Sequence, residues 1–109
     1  MSSGSESFED FWLVYLRHHA RSGTRLLHVL GTGVGAAALI WGLVTVDPLI
    51  VLAGIAAGYL LAWTGHFVVE RNRPVMLSHP VWALQCDIRM CRLWVTGRLK
   101  PELRRAGVN

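Results

Sequence analysis

Leu26 to Val69 reads LLHVLGTGVGAAALIWGLVTVDPLIVLAGIAAGYLLAWTGHFVV, and its lack of any Lys or Arg decides the fold. All 11 Lys and Arg residues fall outside it: Arg17, Arg21 and Arg25 before, Arg71, Arg73, Arg89, Arg92, Arg98, Lys100, Arg104 and Arg105 after. Its only acid is Asp47, and its only histidines are His28 and His66. A stretch of about 40 residues accommodates two bilayer crossings of about 20 each. Asp47-Pro48 divides it in the middle and reads as the turn of a helical hairpin. The expected crossings are residues 26–46 and 48–69. Basic residues flank both, so the positive-inside rule puts both termini in the cytoplasm and the turn on the other side.

At 109 residues and 52% hydrophobic, the chain is one domain. Two adjacent apolar runs of this length favour a membrane hairpin over a soluble core. The net charge of +4 raises nucleic acid as a partner, but no stacking platform or binding motif accompanies it. The basic residues read instead as cytoplasmic flanks touching anionic lipid headgroups. Met1 to Glu6 is polar and acidic and does not read as a signal peptide. Cys86 and Cys91 are expected on the cytoplasmic side, where a disulfide does not persist. Their spacing is too wide for a zinc pair, and both read as packing residues.

The flanks carry helical signals. Residues 7–21 form an amphipathic helix opened by a capping box, Ser7 with Asp10. Phe8, Phe11, Trp12, Tyr15 and His19 share its apolar face, and Arg17 and Arg21 lie opposite. In the first crossing Gly31, Gly35 and Gly42 share a face with His28; in the second, Gly54, Gly58 and Ala62 lead by steps of four to His66. Such small-residue faces let membrane helices approach closely. Gly31-x-Gly33-x2-Ala36 is no dinucleotide site, because no strand precedes it. Residues 70–78 read as a loop. Pro80 starts an interfacial helix over 80–99 with an apolar stripe of Val81, Leu84, Ile88, Cys91, Val95 and Leu99, opposite Trp82 and Arg89. Residues 100–109 read as a frayed tail. The predicted class is therefore all-α: a two-helix transmembrane hairpin flanked by amphipathic N- and C-terminal helices on the cytoplasmic side.

All five histidines fall at cytoplasmic ends of these elements. About a turn at 47–48, His28 and His66 are equally far along their helices and should face each other near the interface. His19 on a roofing helix could complete a cluster, and Glu70, four residues after His66, could point the same way. Three imidazoles and a carboxylate can bind a divalent transition metal and leave positions open. An interhelical hydrogen bond between His28 and His66 is the plainer alternative. His18 reads as a solvated interface residue and His79 as a loop or cap residue. Asp87 either orients a ligand histidine from behind or pairs with Arg98 or a flanking arginine, the commoner use of such an acid.

Two sequence blocks carry a resemblance. One is Arg25-Leu-Leu-His28-x2-Gly31, with His19 nine positions before His28. The other is Gly65-His-Phe-x2-Glu70-x-Asn72-x-Pro74, followed by Pro80-x-Trp-x-Leu84-x2-Asp87-x2-Met90 and Thr96-Gly-Arg98. Over residues 8–99 the chain resembles the short bacterial branch of a family of small membrane proteins that includes the fungal 2-hydroxy fatty acid dioxygenase. The resemblance implies an Fe(II)-dependent α-oxidation of a 2-hydroxy fatty acid or related lipid-derived acid by molecular oxygen. It implies His19, His28, His66 and Glu70 as metal ligands, with Glu70 also a candidate base. It also implies a bacterial inner-membrane location. Arg25, Arg71 and Arg73 are candidates for holding the substrate carboxylate. A hairpin alone walls off little space, so the amphipathic helices must roof the site or a second copy must pack beside it as a homo-oligomer. Two rivals stand beside this reading: a haem-binding electron-transfer module with facing axial histidines, and a non-catalytic membrane scaffold.

Overall fold

The computed structural model describes residues 7–74 and 78–108. The polar stretch 1–6, residues 75–77 of the expected loop and residue 109 of the tail lie outside the described residues. Among those described there are five α-helices and no strand: α1 (Phe8–Arg17), α2 (Ser22–Val44), α3 (Pro48–Thr64), α4 (Pro80–Val95) and α5 (Leu99–Arg105). A π-helical segment, Gly65–Glu70, prolongs α3.

The capping box forms in both directions, Asp10 N–H to Ser7 Oγ (3.1 Å) and Ser7 N–H to Asp10 Oδ2 (3.3 Å). Helix α1 stops at Arg17, short of the expected 21, and α2 begins at Ser22, ahead of the expected 26. Arg25 explains the tight link. Its Nη1 donates to the carbonyls of His19 (2.7 Å) and Ala20 (2.8 Å), acceptors the end of a helix would otherwise leave bare.

Helix α2, and α3 with its π segment, are each 23 residues, about 34 Å at 1.5 Å per residue, and apolar enough to cross a bilayer. Only 17% and 22% of their most apolar windows are buried, and Ile40, Leu43, Val44, Leu49, Leu52 and Leu60 lie exposed. A soluble core helix would be buried, so the hairpin is a membrane-associated element. The two helices meet on their glycines. A Cβ on Gly31 would run into Gly58 O, and one on Gly58 would sit 2.6 Å from Gly31 O. Near the turn Gly42 abuts Val51, but at the far end Gly65 abuts Thr24, so the pairing slips by about one turn along the hairpin. His28 therefore lies about a turn deeper than His66, not level with it.

The turn ends α2 in a Schellman motif, with Asp47 N–H on Gly42 O (2.7 Å) and Val46 N–H on Leu43 O (3.3 Å). Asp47 then caps α3 by accepting from Leu49 N–H (3.1 Å), and Pro48 supplies a preset first position. The left-handed position, usually glycine, is Val46, with φ 54° and 86% exposed. A β-branched residue is strained there by about 1–2 kcal/mol. Val46→Gly loses no packing and should raise the unfolding midpoint in detergent, a stabilisation of about 1 kcal/mol.

The core lies beyond the basic end of the hairpin. Phe11, Trp12, Tyr15 and Leu16 of α1 pack on Ala83, Cys86 and Met90 of α4 and on Leu99 and Leu103 of α5. The expected stripe of α4 points the other way: Val81, Leu84, Ile88 and Val95 are exposed. Arg89, expected on the outer side, faces inward, 4.4 Å over the Trp12 ring and paired with Glu9 (2.9 Å) and Glu102 (3.4 Å). A small α-bundle on a membrane buries its aromatic and paired polar groups and leaves its aliphatic stripe to lipid. Burial pushes the Cys86 thiol up to about 12, so it is a neutral packing residue.

The frayed tail is a correction: it is the helix α5. Gly97 (φ 72°) closes α4 and Gly107 (φ 80°) closes α5, each with the two hydrogen bonds of a Schellman motif. Leu99, Leu103, Ala106 and Val108 are buried, and Glu102 accepts from Trp12 Nε1 (2.9 Å). Burial opposes ionisation of Glu102, but the bonds from Trp12 and Arg105 and the charges of Arg105 and Arg89 hold its pKa below the usual value.

Candidate metal centre

Three elements bring three histidines to one point. His19 comes from the link after α1, His28 from the second turn of α2, and His66 from the π segment. All are buried. Their ring centroids lie 4.9 Å (His19 to His28), 4.4 Å (His19 to His66) and 6.3 Å (His28 to His66) apart. One donor nitrogen from each ring lies within 4.8 Å of the other two.

The opposite nitrogen of every ring is already committed. His19 Nδ1–H donates to Tyr15 O at 2.7 Å, since a carbonyl can only accept. His28 Nε2–H donates to Asp87 Oδ1 at 2.7 Å. His66 Nδ1–H donates to Asn72 Oδ1 at 2.8 Å; the Asn72 amide is oriented by its Nδ2, which donates to His18 O at 3.0 Å. Each tautomer leaves one lone pair facing the centre. His19 Nε2 and His28 Nδ1 are buried with no hydrogen-bond partner. Leaving a buried polar atom unpaired costs about 1–3 kcal/mol, and lone pairs pointing at one another add repulsion. A cation among them removes both penalties, so the residues fit a bound metal. Burial, then the neighbouring His28 and His66, hold the His19 pKa well below 6.5, which keeps it a neutral ligand.

Two further residues shape the site. Tyr15 stacks on His19 (centroids 4.1 Å apart), and its hydroxyl donates to Asp87 Oδ1 at 2.6 Å. Burial, then Asp87, raise its pKa well above 10, so it remains a donor. Tyr15 stands four residues before His19 on the same stripe, which was the signal for it. Asn72 had none, because a partner six residues after His66 follows no helical spacing. Asn72→Ala should leave the fold intact and weaken metal affinity about 10–100-fold, measured by competition with a chelator, since partners behind metal-bound histidines contribute that much.

Other candidates lie elsewhere. Glu70 is not among the converging donors; its carboxylate accepts from Arg21 N–H at 2.8 Å, tying the start of α2 to the end of the second span. The wider π segment turns it away from His66. Arg25 is occupied by the carbonyls of His19 and Ala20, and Arg71 and Arg73 are exposed beyond the π segment. None of these arginines lines the cleft at the histidines. Asp87 lies behind His28, its carboxylate shared with Tyr15. His18 Nδ1 bonds Val14 O (2.9 Å), and His79 stacks on Trp82 with centroids 5.1 Å apart.

The plainer alternative fares poorly against these contacts: His28 and His66 bond Asp87 and Asn72 and not each other. Three rings in mutual edge contact also leave no slot for a porphyrin between two of them.

No curated protein and no solved structure matches the chain. Among known families, residues 5–99 match the one described as 2-hydroxy-palmitic acid dioxygenase Mpo1-like. That match takes in every histidine of the centre together with Tyr15, Asn72 and Asp87, and the chain belongs to the Mpo1-like family.

Proposed function

We propose that this protein is a membrane dioxygenase that carries Fe(II) on His19, His28 and His66 and oxidises a 2-hydroxy fatty acid or related lipid-derived acid by α-oxidation. The observation that carries the reading is the convergence of three lone pairs whose rings are each fixed from behind. Three neutral imidazoles suit Fe(II) among other transition metals and leave coordination positions for small ligands. Bound iron would supply the means to activate oxygen beside a chelated 2-hydroxy acid.

The chain's own residues divide the remaining work. Tyr15, Asp87 and Asn72 hold the ring orientations. Arg25 closes the link that carries His19, and Glu70 anchors the start of α2, a supporting part rather than that of a ligand. α1 and the link after it roof the centre against water with Tyr15, Leu16 and His19, all buried. The basic residues at both flanks support a placement in the bacterial inner membrane with both termini cytoplasmic.

The test is the metal content of wild-type protein purified anaerobically in detergent, followed by oxygen consumption with 2-hydroxyhexadecanoic acid. Near-stoichiometric iron and oxygen uptake dependent on the 2-hydroxyl are the expected result. Metal-free protein, even after Fe(II) is offered, overturns the assignment.

A further inference from the structure

We infer that the histidine centre is reached sideways from the lipid, through a cleft between α3 and α4, and that this cleft binds the tail of a single-chain acid. The inference rests on the proposed function for the identity of the head group, and on the following observations for the path.

The cleft at the three histidines lies between Tyr59, Ala62 and Trp63 of α3 on one side and Ala83 and Asp87 of α4 on the other, with Pro74 of the intervening loop at its basic end. Ala62 and Ala83, at its floor, are buried and small, so little side-chain bulk stands between the helices there. Tyr59 and Trp63 are 41% and 39% exposed, half inside the cleft and half outside it. Their outer neighbours, Leu60 of α3 and Phe67 of the π segment, are exposed, and so are Leu84 and Ile88 beside the α4 lip. Both lips are therefore apolar and belong to surface that faces lipid. Trp63 stands about two helical turns before Arg71, the first basic residue after the second span, which sets the mouth just inside the hydrocarbon.

Among the described residues the aqueous side is covered. Leu16, His19 and Tyr15 leave no surface to water, Arg25 binds the two carbonyls of the link, and Asn72 bridges it to His66. The described residues leave a water-soluble acid no open route on that side, whereas a membrane-dissolved one meets the mouth directly.

The lining also selects the head group. No Lys or Arg lines the cleft among the described residues. A carboxylate brought in from lipid has only the metal to balance it. A divalent ion beside one carboxylate, Asp87, retains one positive charge, which a single ligand carboxylate cancels. A neighbouring hydroxyl adds a second point of attachment, so 2-hydroxy acids should bind ahead of plain fatty acids. Apparent affinity should rise about fourfold per added methylene through membrane partitioning.

The experiment uses the full chain in phosphatidylcholine nanodiscs, without oxygen, and 2-hydroxyhexadecanoic acid bearing a mid-chain diazirine. After irradiation, adducts are mapped by mass spectrometry with and without excess unlabelled acid. Competed adducts confined to Tyr59–Trp63 and Leu84–Ile88 are expected. Competed adducts on α1 or α5, or adducts spread along every lipid-facing residue and not competed, overturn the inference. Ala62→Leu, which narrows the cleft, should lose the competed adducts while keeping its metal; a variant that retains both also overturns it. Where Ala62→Leu loses its metal as well, the wild-type map alone decides. Metal is counted on the same samples, so iron-loaded protein without the expected adducts sinks the path and leaves the iron assignment standing. Metal-free protein with the expected competed adducts does the reverse.

Discussion

His66→Ala protein, purified in detergent under argon, should hold no transition metal where the wild type holds about one ion per chain. The two should have the same helical content by circular dichroism. His66 is one of three converging donors, and its removal leaves two imidazoles, His19 and His28, that cannot close a stable site alone. Loss of a ligand should exceed the 10–100-fold effect of a residue behind a ligand, so affinity should fall on the order of 1,000-fold or more. The hairpin should survive because the glycine faces hold α2 on α3 along the seam independently of the His66 ring. The variant also relieves two unpaired buried nitrogens of a third facing lone pair, so metal-free His66→Ala should melt no lower than metal-free wild type. Glu70→Gln is the contrast. Its carboxylate binds the Arg21 amide, and an amide oxygen can accept that bond as well, so metal content should be unchanged. If Glu70→Gln loses metal and His66→Ala keeps it, the three-histidine centre is wrong.

The same contrast separates what the sequence made legible from what it left to the structure. The hairpin was legible because charge is expensive in hydrocarbon, so the arginines mark its ends and Asp47-Pro48 its turn. The three histidines were legible because each ends an apolar or small-residue face. Glu70 was assigned to the metal on the assumption that residues four apart on a helix point together. The assumption fails in a π segment, whose hydrogen bonds run five residues apart, and Gly65–Glu70 is such a segment. The same distortion, closed by Arg71 at φ 61°, brings Asn72 back under His66, where no spacing rule would look. Arg25 was offered to a substrate because a basic residue at a membrane edge invites that use. In the structure its guanidinium meets two carbonyls exposed by a chain turn that could not be located beforehand. Helix α5 was missed because a short, basic segment has little apolar periodicity of its own. It is held by Trp12 and Arg89 from distant parts of the chain.

Gly31→Leu should be the most damaging single change in the hairpin, lowering metal content and thermal stability together. Even the first atom of a side chain at Gly31 would overlap Gly58 O, and from the other side Gly58 meets Gly31 O at 2.6 Å. Both obstacles are backbone, which cannot rotate away as a side chain can. The helices must then move apart, and van der Waals packing, which drives membrane helices together, is lost along the whole seam from Gly42 to Thr24. Overpacking of a tight site costs about 1–3 kcal/mol, occasionally more; with a full leucine against backbone the larger cost is expected. His28 lies one turn from Gly31 on α2, so separating the helices also draws its ring away from His66. Gly33→Leu provides the control. A Cβ there meets nothing within 4 Å, and the residue lies only two positions further along the same helix. Leucine at Gly33 should leave metal content unchanged and the melting midpoint equal or higher, since leucine is the better helix former. Equal loss from both substitutions would mean that bulk anywhere on α2 is harmful and that the glycine seam does not place His28. Loss confined to Gly31→Leu, read as metal content at matched protein concentration, ties the close approach of two backbones to the geometry of the histidine centre.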